Sequence, residues 1–187
     1  MSAFVRPDGS VNHIVSFDPE TGEILRSLGG QGYGDGSSWT RGQAWGLYGF
    51  ALSYAHTGKQ DYLDTAKRIA HYFISNIPED GRIPVDFRSP SEPFYEDATA
   101  AAIAACGLLE ITKHVPELEA GLYRNAAVKL LRTLDERDCD YDPDTDGILR
   151  NCPAAYHDET HEFHIVYGDY FYLEALLKLK GSDFRMW

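Results

Sequence analysis

The sequence predicts an all-α fold in which helical hairpins form the inner and outer rings of part of a toroid, with long loops and minor β structure. Three observations support this prediction. Helices that are apolar nearly all round alternate with amphipathic helices along the 187 residues. The amphipathic helices repeat one pattern of apolar positions. The loops between hairpins are long and rich in Gly, Pro, Asp and aromatic residues, which favours ordered loops at one end of the inner ring.

Each element follows from its local pattern. Residues 42–56 and 97–112 predict inner helices, because small and apolar residues surround them on nearly every side. Residues 60–77 and 117–135 predict outer helices with one apolar stripe. Residues 169–180 predict a last helix with an aromatic start.

The two outer helices share an internal repeat. The first set of positions is Tyr62, Ala66, Ile69, Ala70 and Phe73, and it recurs 61 residues later as Tyr123, Ala127, Leu130, Leu131 and Leu134. Repeats of this length indicate stacked supersecondary units. In the second helix we also expect an apolar stripe made of Leu118, Leu122, Ala126, Leu130 and Leu134.

The long loops cover residues 1–38, 78–96 and 136–166. Alternating stretches at Val5 to Phe17 and Arg82 to Phe87 are expected to pair as small strands. We expect a single domain over residues 1–187, with 1–38 as its loop-rich segment. Two complete hairpins and one further helix do not close a toroid, so we expect the chain to be incomplete or to complete itself by association.

Composition excludes several functions. A formal net charge of −12 opposes binding to nucleic acid. No apolar stretch approaches the ~20 residues that cross a membrane. Cys106, Cys139 and Cys152 are odd in number and have no metal-binding spacing, which indicates reduced thiols and a cytoplasmic location.

The glycine-rich segment 29–46 is the densest candidate site. Ser37 or Ser38 is expected to cap the following helix. On that helix, Arg41 and Trp45 share one face. A guanidinium pairs well with a carboxylate, and an indole offers a flat wall to a sugar ring, so the pair suits an acidic sugar. The alternative is a structural arginine bonded to loop carbonyls, with the tryptophan in the core.

Other candidates have simpler explanations. The histidines of AYHDETHEFH lack the spacing of a zinc helix, so we expect a pocket rim there and no metal site. Asp97 and Asp169 open helices, where acidic residues are favoured by capping and the helix dipole. Asp35 lies in the glycine loop and could reach a ligand. No pair of carboxylates for glycoside hydrolysis can be identified.

Several motifs together resemble a known family. They are VRPDGSVNHIVSFDPETGE, SSWTRGQAWG, EDATAAAIAACGLLEI and YGDYFYLEALLKL. In this combination and order they resemble the C-terminal half of unsaturated glucuronyl hydrolases, glycoside hydrolase family 88. The resemblance implies part of an (α/α)6 toroid of six helical hairpins. It also implies removal of an unsaturated uronic acid from oligosaccharides by hydration of its vinyl ether, without a metal or organic cofactor.

The resemblance also assigns residues. His13, Gln31, Arg41 and Trp45 match family positions that line the sugar pocket. Arg41 would contact polar groups of the substrate and Trp45 would form a packing wall. His13 and Gln31 would hydrogen-bond the sugar or the attacking water.

The family's two catalytic aspartates lie upstream of VRPDGS and have no counterpart here, which implies a truncated chain that is inactive alone. We expect a homo-oligomer, because half a toroid exposes the apolar surface of inner helices. The related unsaturated rhamnogalacturonyl hydrolases are an alternative, although the Gln-Ala of RGQAW fits the glucuronyl group better. A non-catalytic carbohydrate-binding or structural fragment is another alternative. A toroid such as a mannose epimerase is a third, which the RGQAW and GDYFYLEAL motifs oppose.

Overall fold

The computed structural model describes residues 2–183 of the chain. Within that range a two-stranded antiparallel hairpin precedes five α-helices. The bounds are β1 Ile14–Phe17, β2 Ile24–Leu28, α1 Thr40–Thr57, α2 Gln60–Ser75, α3 Ala98–Thr112, α4 Glu117–Thr133 and α5 Val166–Leu179. A π-helical turn at Leu134–Asp138 extends α4. The all-α prediction with minor β structure is confirmed. None of these helices is long and apolar enough to cross a membrane.

Three inner helices lie side by side in the order α1, α3, α5. The middle helix, α3, packs against α1 on one side and α5 on the other. Its residues from Ala98 to Ile111 are all buried, as expected of a helix with neighbours all round. The outer helix α2 packs on α1, and α4 packs on α3, which gives the alternation that the sequence predicts. One flank of α1, carrying Trp45 and Gly49, is exposed.

The leucine stripe predicted for α4 is wrong at its start. Leu118 is fully exposed and Leu122 is 47% exposed. Residues spaced by four advance about 40° around a helix at each step, so Leu118 and Leu134 lie on nearly opposite faces. The buried face instead follows the internal repeat, whose members in this helix are buried: Tyr123, Ala127, Leu130 and Leu131.

The small strands pair differently from the prediction. β1 pairs with β2, with Ile14 opposite Leu28, and not with residues 82–87. The turn between the strands is local, because the Asp18 carboxylate accepts the N–H groups of Glu20 and Thr21. A short local loop closes at lower entropic cost than a pairing with a distant segment. Residues in 82–87 form isolated bridges elsewhere, Asp86 with Trp39 and Pro84 with Glu96.

The serines before α1 do not cap it, contrary to the prediction. The N-cap position is Trp39, and no side chain of that residue bonds to the helix. The side chain of Ser37 bonds within the glycine loop, and the Oγ of Ser38 has no partner in residues 2–183. The N–H of Thr40 is satisfied by the carbonyl of Val85 at 3.0 Å. A neighbouring loop therefore replaces the side-chain cap.

Candidate functional site

The N-terminal ends of the three inner helices meet at a buried arginine. Arg41, in the first turn of α1, is 2% exposed. Its Nη2 lies 2.9 Å from Oδ2 of Asp97, the N-cap of α3. Its Nη1 donates to the hydroxyl of Tyr167, in the first turn of α5, at 2.8 Å, and Nη2 also donates to the carbonyl of Pro153. We call these four residues the mouth node. One guanidinium thus joins three helices and the loop 136–166.

The attraction between the two charges of the mouth node opposes the cost of burying them, although burial still raises the pKa of the Asp97 carboxyl above its ordinary value. Burial disfavours the charged guanidinium, but the adjacent Asp97 carboxylate outweighs it and raises the pKa of Arg41 above its ordinary value. Asp97 is fully buried and accepts the N–H of Ala100, so the predicted capping role is confirmed. Removing one partner of a buried ion pair costs about 3–5 kcal/mol, because the other charge is left uncompensated.

Stacked rings connect the mouth node to the segment before β1. The guanidinium of Arg41 lies 5.4 Å from the centre of the Trp39 ring. The imidazole of His13 stacks on the same indole, with ring centres 4.4 Å apart and planes 10° apart. Nε2 of His13 is 3.2 Å from Oε1 of Gln31, whose Nε2 donates to the carbonyl of Ala154 at 2.7 Å. His13 and Arg41 therefore pack against one tryptophan, and Gln31 is connected to it through His13.

Trp45 lies one turn after Arg41 on α1 and is 38% exposed. Its ring centre is 5.1 Å from that of Phe171 and 6.3 Å from that of Tyr167, both on α5. An exposed indole among aromatic rings can pack against the apolar face of a ring-shaped ligand. Its exposure favours the binding interpretation of Trp45. The burial of Arg41, by contrast, favours the structural interpretation in which it bonds to protein groups.

The glycine loop is organised by a buried carboxylate. Asp86 is 1% exposed, and its Oδ1 accepts the N–H of Ser38 at 2.9 Å. A Cβ at Gly32 would lie 2.6 Å from Oδ2 of Asp86, so glycine is needed for this approach. Asp35, which the sequence suggested as a ligand contact, accepts the N–H of Gly29 at 2.9 Å and thereby closes the loop. Asp86 and Asp35 thus fix the backbone that carries Gln31.

Asp169 and the loop histidines contact separate parts of the structure. Asp169 accepts the N–H groups of two residues in the loop before α5. Nε2 of His157 lies 2.8 Å from the carbonyl oxygen of Tyr33, and His161 stacks on Tyr95 with ring centres 3.7 Å apart. His161 and Tyr95 line a surface depression of about 590 Å³. No group of three or more His, Cys, Asp and Glu in residues 2–183 is arranged to hold a metal ion.

Sequence reasoning missed three residues on which this arrangement depends. Trp39 gave a signal through its place two residues before Arg41 in the SSWTRGQAW motif. Tyr167 opens the YGDYFYLEALLKL motif, whereas Asp86 belongs to no motif. The partners of these two residues could not be read from the sequence, because they are 126 and 48 residues away along the chain. Such contacts depend on how helices and loops meet, which local patterns do not encode.

Comparison with known proteins supports the resemblance. No protein-family model matches the chain. The unsaturated glucuronyl hydrolase of Bacillus sp. strain GL1 is 43% identical over 193 residues, which cover 98% of this chain and 50% of the relative. The crystal structure of that organism's enzyme matches with a TM-score of 0.87 and 42% identity, covering 95% of this chain and 48% of the other. The resemblance and the toroid-type fold are thereby confirmed over this length.

A second solved structure carries a ligand. It is a mutant unsaturated glucuronyl hydrolase from Streptococcus agalactiae complexed with dGlcA-GalNAc6S. It is 35% identical, has a TM-score of 0.82, and is matched over 97% of this chain and 49% of its own. The chain described here spans about half the length of the curated relatives it matches.

Proposed function

We propose, from its relationship to the unsaturated glucuronyl hydrolases, that this chain supplies part of the sugar-binding surface of a glycoside hydrolase acting on unsaturated uronic acid oligosaccharides. The observation that carries the proposal is the cluster around the mouth node. Residues matching the family's sugar pocket gather there beside an exposed indole, although they are far apart in the sequence. A relative with this fold binds dGlcA-GalNAc6S, which supports the ligand class.

Each predicted site residue has a proposed role. His13 and Gln31 are half-buried, hydrogen-bond to each other, and would bond the sugar or the attacking water. Trp45 would form the packing wall. Arg41 was expected to contact polar groups of the substrate. Because its guanidinium is buried and bonded to protein groups, we propose that it acts by holding the three inner helices, with the Tyr167 hydroxyl, in register.

We propose that the 187-residue chain binds the sugar without hydrolysing it. By the family mechanism, an aspartic acid protonates C4 of the C4=C5 vinyl ether and water adds at C5. The hemiketal then opens and releases the sugar. In the family that aspartate lies upstream of the segment this chain resembles, and it has no counterpart here. The acidic candidates of this chain have structural partners: Asp35 closes a loop, Asp97 pairs with Arg41, and Asp169 binds backbone.

The test is the vinyl-ether absorbance of an unsaturated chondroitin disaccharide mixed with the purified chain. We expect constant absorbance while circular dichroism shows a folded protein. A fall in absorbance would contradict the proposal and would make Asp35, Asp97 and Asp169 the first residues to substitute. The second candidate is a non-catalytic carbohydrate-binding or structural fragment that is not part of a longer hydrolase, which the missing catalytic aspartates favour. An in-frame upstream coding region for further hairpins would separate the two.

Three further properties belong to this proposal. We propose that the chain forms one domain, since a single apolar core runs through all three inner helices. We propose a cytoplasmic location, supported by three buried cysteines that form no disulfide among the described residues. We propose association of copies through the exposed flanks of inner helices. Sedimentation as a monomer at all concentrations would contradict the last point.

A further inference from the structure

The row of inner helices has two open flanks. On α5, an apolar stripe at helical spacing is exposed, with Val166 at 80%, Leu173 at 47% and Leu177 at 44%. On α1, the exposed flank carries Trp45 and Gly49. In a closed ring each inner helix packs between two inner neighbours. Among the described inner helices, α1 and α5 each pack along α3, and they meet each other only through side chains such as Tyr48 and Glu174. Both flanks are therefore unpartnered.

In the contact between α1 and α3, a leucine side chain of one helix (the knob) packs against a glycine of the other (the socket). Leu47 of α1 is fully buried, and a Cβ at Gly107 of α3 would overlap its Cδ2. Glycine at that position lets the leucine seat against the backbone of α3. Leu47 is the eighth residue after the N-cap Trp39, and Gly107 is the tenth residue after the N-cap Asp97.

The open flanks carry a leucine and a glycine at the same helix positions, and neither has a partner helix among the described residues. Leu173 is the eighth residue after Ile165, the N-cap of α5, and Gly49 is the tenth residue after the N-cap of α1. Apart from its chain neighbours and the nearby backbone of its own helix, a Cβ at Gly49 would meet no atom of the described chain within 4 Å. Two residues along a helix turn by about 200°, so Gly49 lies nearly opposite Leu47 and faces away from α3.

The far side of α5 is placed by the same geometry. Lys178 of α5 pairs with Glu110 of α3 at 2.7 Å, so its side of the helix faces α3. Leu173 precedes it by five residues, which is a rotation of about 140°. The knob therefore points away from α3, along the direction in which the next inner helix of a ring would lie.

We propose that a second copy of this chain occupies both flanks, with Leu173 of each copy seated beside Gly49 of the other. Three inner helices from each copy then make six. The toroid of six hairpins that the resemblance implies also has six inner helices. Each copy matches about half of a solved toroid, so one twofold rotation about the ring axis closes the ring. Both mouth nodes would open at the same end. This inference specifies the association proposed above and is independent of sugar binding.

Sedimentation velocity of matched variants tests the interface. We expect the apparent mass of the unaltered chain to be twice the 21.0 kDa of one copy. Gly49→Phe fills the socket without a clash in a single copy, and phenylalanine favours a helix over glycine, so this variant should fold and sediment as a monomer. Gly121→Phe, on α4 and equally open, is the control and should remain a dimer. An unaltered chain that is monomeric, or a Gly49→Phe dimer, would overturn the proposal.

Disulfide trapping tests the geometry. The native Cys106, Cys139 and Cys152 are buried, so they add little background. A chain with Gly49→Cys is mixed with a chain with Leu173→Cys under mild oxidation. We expect the mixed 49–173 disulfide, because a seated knob brings the two Cα atoms within disulfide range. Predominant 49–49 or 173–173 products, or no product, would contradict the ring. A chain with both Gly49→Cys and Leu173→Cys should give disulfide-linked dimers. Longer disulfide-linked polymers would show that two copies do not close a ring.

Discussion

Buried charges join the inner helices at both of their ends, but the two ends differ in their surroundings. At the mouth node, the guanidinium of Arg41 pairs with one carboxylate beside loops and an exposed indole. At the opposite end, Nζ of Lys178 lies 2.7 Å from Glu110 and 3.4 Å from Glu174, and the Tyr48 hydroxyl donates to Glu174. We call this second group, Lys178, Glu110, Glu174 and Tyr48, the far node.

The comparison separates packing from binding. The side chains of the far node are buried among α1, α3 and α5. The mouth node has the same helix-joining role, but it also adjoins Trp39, His13 and Trp45. Both nodes therefore set the inner-helix packing, and the mouth node is the one beside which we propose that the sugar binds.

The largest effect is expected at the far node. Lys178→Met removes the ammonium that lies nearest to two buried carboxylates, while Glu110 keeps contacts with Lys113 at 3.9 Å and His114 at 3.3 Å. The change should cost about 4 kcal/mol of stability, measured by urea unfolding. Lys180→Met, at an exposed position just after the same helix, is the control and should change little. A loss below about 1 kcal/mol for Lys178→Met would show that the far node contributes little to packing.

A similar change at the mouth node should affect two properties. Arg41→Met leaves the buried Asp97 carboxyl without its guanidinium partner and should cost about 3 kcal/mol. Addition of Asp97→Asn should recover part of that loss. Where each variant is still folded, Arg41→Met should weaken sugar binding and Lys178→Met should not. Equal loss of binding in both variants would contradict the distinction between the two ends.

The mouth end should also be the more sensitive to pH. Burial, and then the nearby Asp138, raise the pKa of Glu96 to about 8. The folded state therefore keeps a proton that the unfolded state loses above its ordinary pKa near 4.5, so stability should fall as pH rises from about 4.5 to about 8. Glu96→Gln should remove this dependence and add about 1–2 kcal/mol at pH 8. Thermal unfolding at pH 5 and pH 8 measures the pH dependence of stability. Glu79→Gln, at an exposed position, is the control and should leave this dependence unchanged.

The smallest effect is expected for the packing wall. Trp45→Ala removes the exposed indole without touching the mouth-node ion pair, and should weaken binding of an unsaturated disaccharide about fivefold, or about 1 kcal/mol. Leu118→Ala, on the exposed side of α4, should leave binding unchanged. If both variants bind like the unaltered chain, Trp45 does not contact the sugar.

The sequence allowed prediction of the helices because their apolar periodicity is local. All five predicted helices are present, and the 61-residue repeat correctly identified the buried faces of α2 and α4. Prediction failed where distant segments compete, as in β1, which pairs across its own turn. Prediction also failed at Leu118, because residues spaced by four along a helix do not stay on one face over five positions.

The sequence allowed prediction of which residues belong to the candidate site, but not of how they contact one another. Residue chemistry and the family motifs named His13, Gln31, Arg41 and Trp45. That Arg41 would be buried against Asp97, 56 residues away, depends on the packing of α1 on α3. Residue types alone cannot distinguish an arginine that binds a ligand from one that holds helices together.

The central claim is that the mouth end binds an unsaturated uronic acid sugar. Calorimetric titration of the folded 187-residue chain with an unsaturated chondroitin disaccharide tests it most directly. We predict saturable heat of binding that Trp45→Ala weakens and Leu118→Ala does not. The absence of any saturable heat from the folded chain would contradict the account.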